Sequence, residues 1–338
     1  MRYRRLGSSN LEVSVLCLGT MTFADRTNRA EASAILASAR EHGVNFLDTA
    51  DVYSLGRCEA LLGELLGNDR KHWVLASKVG NPMGEQPGLR GYSRRWMLRA
   101  LEDSLTRLRT DHLDIWYLHR DWEDANLEEP VAVIGDQILA GKIRAWGLSN
   151  FRGWRIAQIV HLSRALGVPP PIICQPYYNL LNRTPEVEIL PACEAMGLGV
   201  APYSPIARGV LSGKYTPGAQ PDPESRAGRG DRRMMQTEWR PESLEIAQRL
   251  AEHCAARGSG LVAFAVRWLL ANRTVSSVIA GPRTLEQWMA YLPAVELPWS
   301  DEDEALIDAL VVPGHASTPG YNDPQYPLQG RRGAANPG

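Results

Sequence analysis

The chain has 338 residues, of which 44% are hydrophobic and 22% charged, and its formal net charge is −1. This composition is typical of a globular protein, and the near-zero charge gives no reason to expect binding to nucleic acid or to an anionic membrane. The length is ordinary for one α/β barrel, where about 250 residues plus insertions are typical. A chain of this size buries enough apolar surface to fold without disulfide or metal cross-links.

The cysteines and the N-terminus bear on the compartment. The five cysteines show neither a C-x-x-C pair nor a zinc-ligand spacing; they are Cys17, Cys58, Cys174, Cys193 and Cys254. An odd, scattered set indicates reduced thiols and no metal site. The basic N-terminus precedes no apolar run adequate for a signal peptide, and no run approaches the ~18 residues that span a bilayer. We therefore expect a cytoplasmic protein.

Apolar strand-like segments alternate with amphipathic helix-like segments along the chain. The eight predicted strands are residues 15–18, 45–48, 73–78, 113–119, 143–148, 172–175, 199–203 and 275–280. The predicted helices are residues 29–41, 59–66, 93–108, 127–140, 154–166, 186–196, 241–257, 261–270 and 284–291. The clearest helix begins at Ser93, a good N-cap that is followed by apolar residues every three or four positions. This alternation predicts a parallel sheet.

The strands are short continuous apolar runs, as expected when both faces of a sheet are covered. A doubly wound open sheet is the rival architecture, but it usually carries G-x-G-x-x-G after its first strand, and this chain has no such pattern. We therefore predict a (β/α)₈ barrel with an N-terminal hairpin as a single domain over residues 1–312. Residues 313–338 form a Gly/Pro-rich, irregular tail. The long segment 207–240 is expected to be functional.

Three consecutive predicted strands deliver ionisable side chains at their C-terminal ends. Asp48 and Tyr53 follow the second strand, Lys78 ends the third and His119 ends the fourth. In a barrel of parallel strands these ends converge on the face where active sites lie. The four side chains are therefore candidates for one proton-transfer site.

These residue types suit the reduction of a carbonyl group. The reaction needs a hydride on carbon and a proton on oxygen, and a positioned acid accelerates it by ~10²–10⁴-fold. An adjacent ammonium stabilises the phenolate of Tyr53 and is expected to lower its pKa from ~10. Asp48 would keep Lys78 charged, and His119 would hydrogen-bond the substrate oxygen.

The sequence around these residues resembles the aldo-keto reductase family. The run Phe46-Leu47-Asp48-Thr49-Ala50-Asp51-Val52-Tyr53 is similar to the family's strand-two signature, and Trp116-Tyr117-Leu118-His119-Arg120 to its strand-four signature. The chain looks most like the long-chain bacterial members and the branch that includes voltage-gated potassium channel β subunits. The resemblance implies an NADPH-dependent oxidoreductase that reduces an aldehyde or ketone reversibly, with Tyr53 as the proton donor.

The resemblance also implies where NADP(H) binds. The residues that match the family's cofactor contacts are Gly19, Thr20, Asp48, Ser149, Asn150, Gln175, Tyr203, Ser204, Pro205, Ile206, Gly209, Lys214, Arg226, Gly281, Arg283 and Gln287. Tyr203 is expected to stack on the nicotinamide, and Lys214 and Arg226 to clamp phosphates. Arg283, at a helix start, suits a 2′-phosphate and argues for NADP(H) over NAD(H). Ala290 and Tyr291 depart from the family pattern at the adenine end.

The sequence gives little information about the identity of the substrate. Phe23, Trp122 and Trp154 follow strands at the active-site face and are candidates for the substrate pocket, although packing of the barrel rim is an equal interpretation. Tyr321 and Tyr326 of the tail are candidates to fold over the opening. Two alternative functions stay open, a non-catalytic NADP(H)-binding redox sensor of the same fold and a barrel isomerase or lyase. The sequence does not predict the oligomeric state.

Overall fold

A computed structural model describes residues 1–328 of the chain. The strands are β1 Tyr3–Arg5, β2 Glu12–Ser14, β3 Leu16–Gly19, β4 Phe46–Asp48, β5 Val74–Val79, β6 Leu113–Leu118, β7 Ile143–Ser149, β8 Ile173–Gln175, β9 Gly199–Val200 and β10 Val278–Ala280. The helices are α1 Arg29–Glu41, α2 Arg57–Leu66, α3 Arg94–Leu108, α4 Glu128–Leu139, α5 Gly153–Ala165, α6 Ile189–Met196, α7 Arg232–Thr237, α8 Pro241–Ala256, α9 Leu261–Ala271, α10 Leu285–Met289 and α11 Asp301–Leu310.

Strands β3 to β10 form one parallel sheet that curls into a barrel. Its order is β10-β3-β4-β5-β6-β7-β8-β9, so neighbours in sequence are neighbours in space. The two ends of the sheet meet where the amide of Ser276 donates to the carbonyl of Val200 at 2.8 Å and that of Ile279 to Pro202 at 3.0 Å. The predicted (β/α)₈ barrel is confirmed, and the registers Gly19–Asp48 and Ser149–Gln175 bring candidate site residues to the same rim.

The barrel has an inner and an outer apolar core. Inward-facing residues such as Phe46, Ile115 and Ile173 form the inner core together with Leu6 and Val13 of the N-terminal segment. That segment is the antiparallel hairpin β1–β2, in which Arg4 pairs with Val13. The outer, larger core lies between the strands and the helices. The hairpin therefore packs on the inner core of the barrel.

Some element bounds differ from the predictions. Strand β9 ends at Val200 rather than at residue 203, because Pro176, which follows β8, has no N–H to continue the β8–β9 ladder. Pairing resumes at an isolated bridge between Tyr177 and Tyr203. Helix α6 begins at Ile189 rather than at residue 186, since a separate 3₁₀ turn occupies Thr184–Glu186. Helix α11 was not predicted, although its capping box between Ser300 and Asp303 was readable in the sequence.

The tail beyond α11 follows a defined path as far as it is described. The hydroxyl of Ser317 lies 2.8 Å from that of Ser243 in α8, and Arg240 Nε donates to Thr318 Oγ1 at 2.7 Å. These contacts attach the tail to the N-terminal end of α8. Residues 329–338 of the predicted tail lie outside the described residues.

Candidate active site

Lys78 lies at the centre of the candidate site and is completely buried in β5. Its ammonium nitrogen donates to Asp48 Oδ2 at 2.6 Å, to the carbonyl of Thr49 at 2.7 Å and to the hydroxyl of Tyr53 at 3.2 Å. An ammonium has three N–H donors, and each finds an oxygen here. The neighbouring strands β4 and β5 thus bring the Asp, Lys and Tyr into direct contact.

Tyr53 is positioned by an unusual turn. It begins the 3₁₀ turn Tyr53–Gly56, in which Ser54 and Leu55 adopt left-handed φ angles of 50° and 53°. A non-glycine residue in this region costs of order 1–3 kcal/mol, so the turn is retained only because its surroundings fix it. The ring of His119 lies edge-on to that of Tyr53, with centroids 6.1 Å apart and an interplanar angle of 79°. His119 directly follows β6, and it completes the group of four.

Burial and charge oppose each other at Tyr53. Burial raises the pKa of the Tyr53 hydroxyl to about 12, and the Lys78 charge lowers it against that trend. Lys78 lowers the pKa of Tyr53 as expected, but desolvation of the phenolate outweighs the ammonium, so the net pKa lies above the ordinary value rather than below it. The pKa of Lys78 is raised: burial works against its charge, but Asp48 and Tyr53 more than offset that cost. At neutral pH the site holds a protonated phenol beside an ammonium.

His119 is neutral at physiological pH. Burial, followed by the positive charges of Lys78 and Arg120, moves its pKa well below the usual value. Its Nδ1 atom is buried and has no hydrogen-bond partner within residues 1–328. A neutral imidazole carries one N–H donor and one acceptor nitrogen, so it can bind a polar atom without adding charge.

The residues predicted to hold the nicotinamide form a polar chain behind these four. Gln175 Nε2 donates to Asp48 Oδ1 at 2.8 Å, and Ser149 Oγ donates to the carbonyl of Gln175 at 3.0 Å. Asn150 Nδ2 donates to the carbonyl of His119 at 2.9 Å, and the hydroxyl of Tyr203 donates to Asn150 Oδ1 at 2.8 Å. Both oxygens of Asp48 are therefore bonded, which fixes the carboxylate that holds Lys78.

One cavity of about 650 Å³ opens onto Tyr53 and His119. It is lined by every residue that was predicted to contact the cofactor, namely Gly19, Thr20, Asp48, Ser149, Asn150, Gln175, Tyr203, Ser204, Pro205, Ile206, Gly209, Lys214, Arg226, Gly281, Arg283 and Gln287. Ala290 and Tyr291 line it as well. The fold thus brings residues from the C-terminal ends of all eight barrel strands, including Asn81 after β5, and from segment 207–240 around a single space.

Positive charge lines this cavity. Its cationic residues include Lys214, Arg226 and Arg283, which were predicted, and Arg26 and Arg229, which were not. Arg226 is loosely paired, its Nε lying 3.7 Å from Asp231 Oδ2. Such a set of cations suits a ligand that carries several phosphate groups.

Segment 207–240 contributes more to the cavity than the sequence indicated. Arg208, Arg229 and Arg233 of this segment all line it. Arg208 Nε lies 3.1 Å from Glu238 Oε2, and Glu238 is fully buried. The sequence alone does not predict this pair, because the two residues are 30 positions apart and only the fold brings them together.

Of the three substrate-pocket candidates, none lines the cavity of Tyr53 and His119. Phe23 is fully buried in the outer core. Trp154 is the second residue of α5 and is 54% exposed, and its backbone N–H donates to Glu188 Oε1. Trp122 lines a neighbouring cleft of about 500 Å³ and donates its indole N–H to the carbonyl of Gly80. All three residues follow barrel strands as predicted, but their side chains do not line this cavity.

Of the two tail tyrosines, one reaches the cavity. Tyr326 lines both the large cavity and the neighbouring cleft. Tyr321 instead donates its hydroxyl to the carbonyl of Gln236 at 3.1 Å and stacks against Arg240. The tail therefore contributes one aromatic ring to the opening.

Within residues 1–328, no group of three or more His, Cys, Asp or Glu side chains is arranged to hold a metal ion. All five cysteines are buried and unpaired. In the same part of the chain, no single helix has the length and apolar character to cross a membrane. Helices α8 and α9 meet those criteria only together, and they are bent by 97°.

Comparison with known sequences places the chain in a family. A sequence model described as "Aldo/keto reductase family" matches residues 15–312. The chain is 33% identical to Uncharacterized oxidoreductase YrpG of Bacillus subtilis (strain 168), covering 94% of this chain and 98% of that one. It is 34% identical to a "Probable voltage-gated potassium channel subunit beta" of Arabidopsis thaliana, over 88% and 92% of the two chains. It is 32% identical to the L-glyceraldehyde 3-phosphate reductase of Escherichia coli (strain K12), over 93% of each. The chain belongs to the aldo/keto reductase family, whose members are oxidoreductases.

Proposed function

We propose that the protein reduces an aldehyde or ketone to the alcohol, reversibly, using NADPH. The observation that carries the proposal is the position of Lys78 Nζ, 2.6 Å from Asp48 Oδ2 and 3.2 Å from the hydroxyl of Tyr53, which lines the cavity. This arrangement delivers one proton to an oxygen that is gaining negative charge. The relatives named as an oxidoreductase and a reductase support the same reaction class.

The residues present suit an NADP(H) cofactor. The hydroxyl and amide side chains of Ser149, Asn150 and Gln175 line the cavity that holds Tyr53 and His119. Lys214, Arg226 and Arg283 line the same cavity and match the negative charges of a pyrophosphate and a 2′-phosphate. When bound, the nicotinamide supplies the hydride.

The protein side of the reaction is a proton transfer. The substrate oxygen would lie within hydrogen-bond distance of the Tyr53 hydroxyl and the His119 ring, which orient the carbonyl carbon for hydride transfer. As charge develops on that oxygen, Tyr53 donates its proton, and the phenolate that remains is stabilised by the adjacent Lys78 ammonium. Asp48, held by Gln175, keeps that ammonium charged in a buried site.

A non-catalytic NADP(H) sensor is the second candidate, and the potassium channel β-subunit name of the Arabidopsis relative favours it. Both candidates predict NADPH binding, so a fluorescence titration with NADPH separates them only from a barrel isomerase or lyase. The deciding experiment follows NADPH oxidation with a panel of small, bulky and phosphorylated aldehydes. We expect turnover with at least part of the panel. NADPH binding without turnover of any member would favour the sensor.

A further inference from the structure

The C-terminal tail forms part of the wall of the active-site cavity. Tyr326 lines the cavity that contains Tyr53 and His119, and it also borders the neighbouring cleft. Its ring lies 5.6 Å from the guanidinium of Arg120, which directly follows His119 in sequence and stacks over Trp122 at 4.6 Å. The tyrosine therefore stands beside Arg120, the residue that follows His119, at the boundary between the two spaces.

One ion pair fixes this part of the tail. Arg233 Nη1 donates to Asp323 Oδ1 at 2.9 Å, and Nη2 donates to Oδ2 at 2.5 Å. This is the two-pronged geometry in which Arg and a carboxylate bind most strongly. The two side chains are only 20% and 13% exposed, so water weakens the pair less than it would at an open surface.

Asp323 also shapes the turn that carries Tyr326. Its Oδ1 atom accepts the amide N–H of Gln325 at 2.9 Å, and its backbone carbonyl accepts the amide of Tyr326 at 2.9 Å. Asp323 therefore forms hydrogen bonds within the turn, and its ion pair with Arg233 attaches the turn to α7. Loss of the anchor frees the turn from the barrel while leaving its internal hydrogen bonds in place.

The anchor lies on the segment that lines the cofactor side of the cavity. Arg233 is in α7, and the same segment 207–240 carries Lys214 and Arg226. The ion pair therefore connects the wall formed by Tyr326 with that segment. Arg232, which precedes Arg233 in α7, is exposed and makes no ion pair within the described residues, so it provides a control in the same helix.

We propose that Tyr326 is a specificity-determining wall of the substrate site and that the Arg233–Asp323 pair is the positioning contact that holds it there. The proposal rests on the carbonyl reductase function proposed above. The ring narrows the space beside Tyr53 and His119, so a small aldehyde gains a contact with it while a bulky one meets an obstacle. Asp323 acts through the position of Tyr326, and Arg233, which also lines the cavity, holds Asp323 in place.

The first test compares propanal with 2-naphthaldehyde in Tyr326→Ala. We expect the KM for propanal to rise about tenfold, the loss of one favourable contact of ~1.4 kcal/mol, while kcat changes by less than about threefold. The KM for 2-naphthaldehyde should stay the same or fall. Equal changes for both aldehydes would overturn the role of Tyr326 in specificity.

The second test separates the ion pair from the turn. Asp323→Asn keeps an acceptor for the Gln325 amide but weakens the fork, and Arg233→Gln removes the fork from the other side. Both should reproduce the propanal KM shift of Tyr326→Ala, and the double variant Arg233→Gln with Asp323→Asn should shift KM no further than either single change, because both remove the same contact. Arg232→Gln should behave as wild type. Unchanged KM in both single variants, or the same shift in Arg232→Gln, would overturn the positioning role.

A measurement without substrate keeps this proposal distinct from the proposed function. Hydrogen exchange of a peptide covering residues 321–328 should be faster in Arg233→Gln than in wild type, and unchanged in Arg232→Gln. If wild type reduces no carbonyl, the proposed function fails, but this comparison still decides whether the ion pair holds the tail. Equal exchange in all three proteins would contradict it.

Discussion

The site has two ends that are built differently. At the catalytic end, Asp48 and Lys78 sit on neighbouring strands and are almost completely buried, with their contacts set by sheet register. At the other end, Lys214 and Arg226 come from a long segment with one short helix, and Arg283 comes from the turn after β10. The sheet fixes the first end, whereas the second is assembled from segments outside the sheet, where Arg226 Nε lies 3.7 Å from Asp231 Oδ2. Changes at the two ends should therefore have different consequences.

The largest effect should follow from breaking the catalytic end. Lys78→Met leaves Asp48 buried without its counter-ion, so we expect turnover to fall by about 10³-fold or more and stability to drop by about 3–5 kcal/mol. Thermal unfolding and NADPH-dependent turnover measure both. Lys71→Met is the matched control, since Lys71 is exposed on the turn before β5 and should change neither. A fully active and stable Lys78→Met protein would contradict the assigned role of the ammonium.

A smaller and more selective effect is expected at the loop end. Arg283→Gln should weaken NADPH binding by about 10–100-fold, because one charged hydrogen-bonding partner of a 2′-phosphate is worth about 1.5–3 kcal/mol. Binding of NADH, which lacks that phosphate, should change by less than about threefold. Fluorescence titration of both cofactors measures this, with Arg232→Gln as the control. Equal losses of affinity for NADPH and NADH would show that Arg283 does not bind the 2′-phosphate.

The smallest change is expected from pH. Because the pKa of Tyr53 is raised to about 12 by burial, the phenol that donates the proton stays protonated through neutral and mildly alkaline pH. The rate of carbonyl reduction, kcat/KM, should therefore be nearly flat from about pH 7 to 10 and fall as pH approaches 12. The same raised pKa contributes stability that is complete below the unfolded value of ~10 and is lost as pH rises toward 12. A fall in the reduction rate centred near pH 7 to 8 would contradict this value.

The sequence predicted the residues at strand ends better than the contacts made by the loop segments. The contact among Asp48, Lys78 and Tyr53 was predictable because strand ends in a parallel barrel converge, and because short motifs such as Asp48 to Tyr53 are local in sequence. Strand β9 was predicted too long, since the effect of Pro176 on the ladder depends on which strands pair. The direction of the Trp154 side chain was not predictable, because a position after a strand fixes the path of the backbone and not the direction of the side chain. The pairs Arg208–Glu238 and Arg233–Asp323 join residues 30 and 90 positions apart, and nothing local announces them.

The most direct test of the central claim is the activity of Tyr53→Phe. This change removes one hydroxyl and keeps the ring, so the cavity and the Lys78–Asp48 pair should persist. We predict that NADPH-dependent carbonyl reduction falls by about 10²–10⁴-fold while NADPH affinity stays within about threefold of wild type. Undiminished turnover in the Tyr53→Phe variant would show that the proton reaches the substrate by another route.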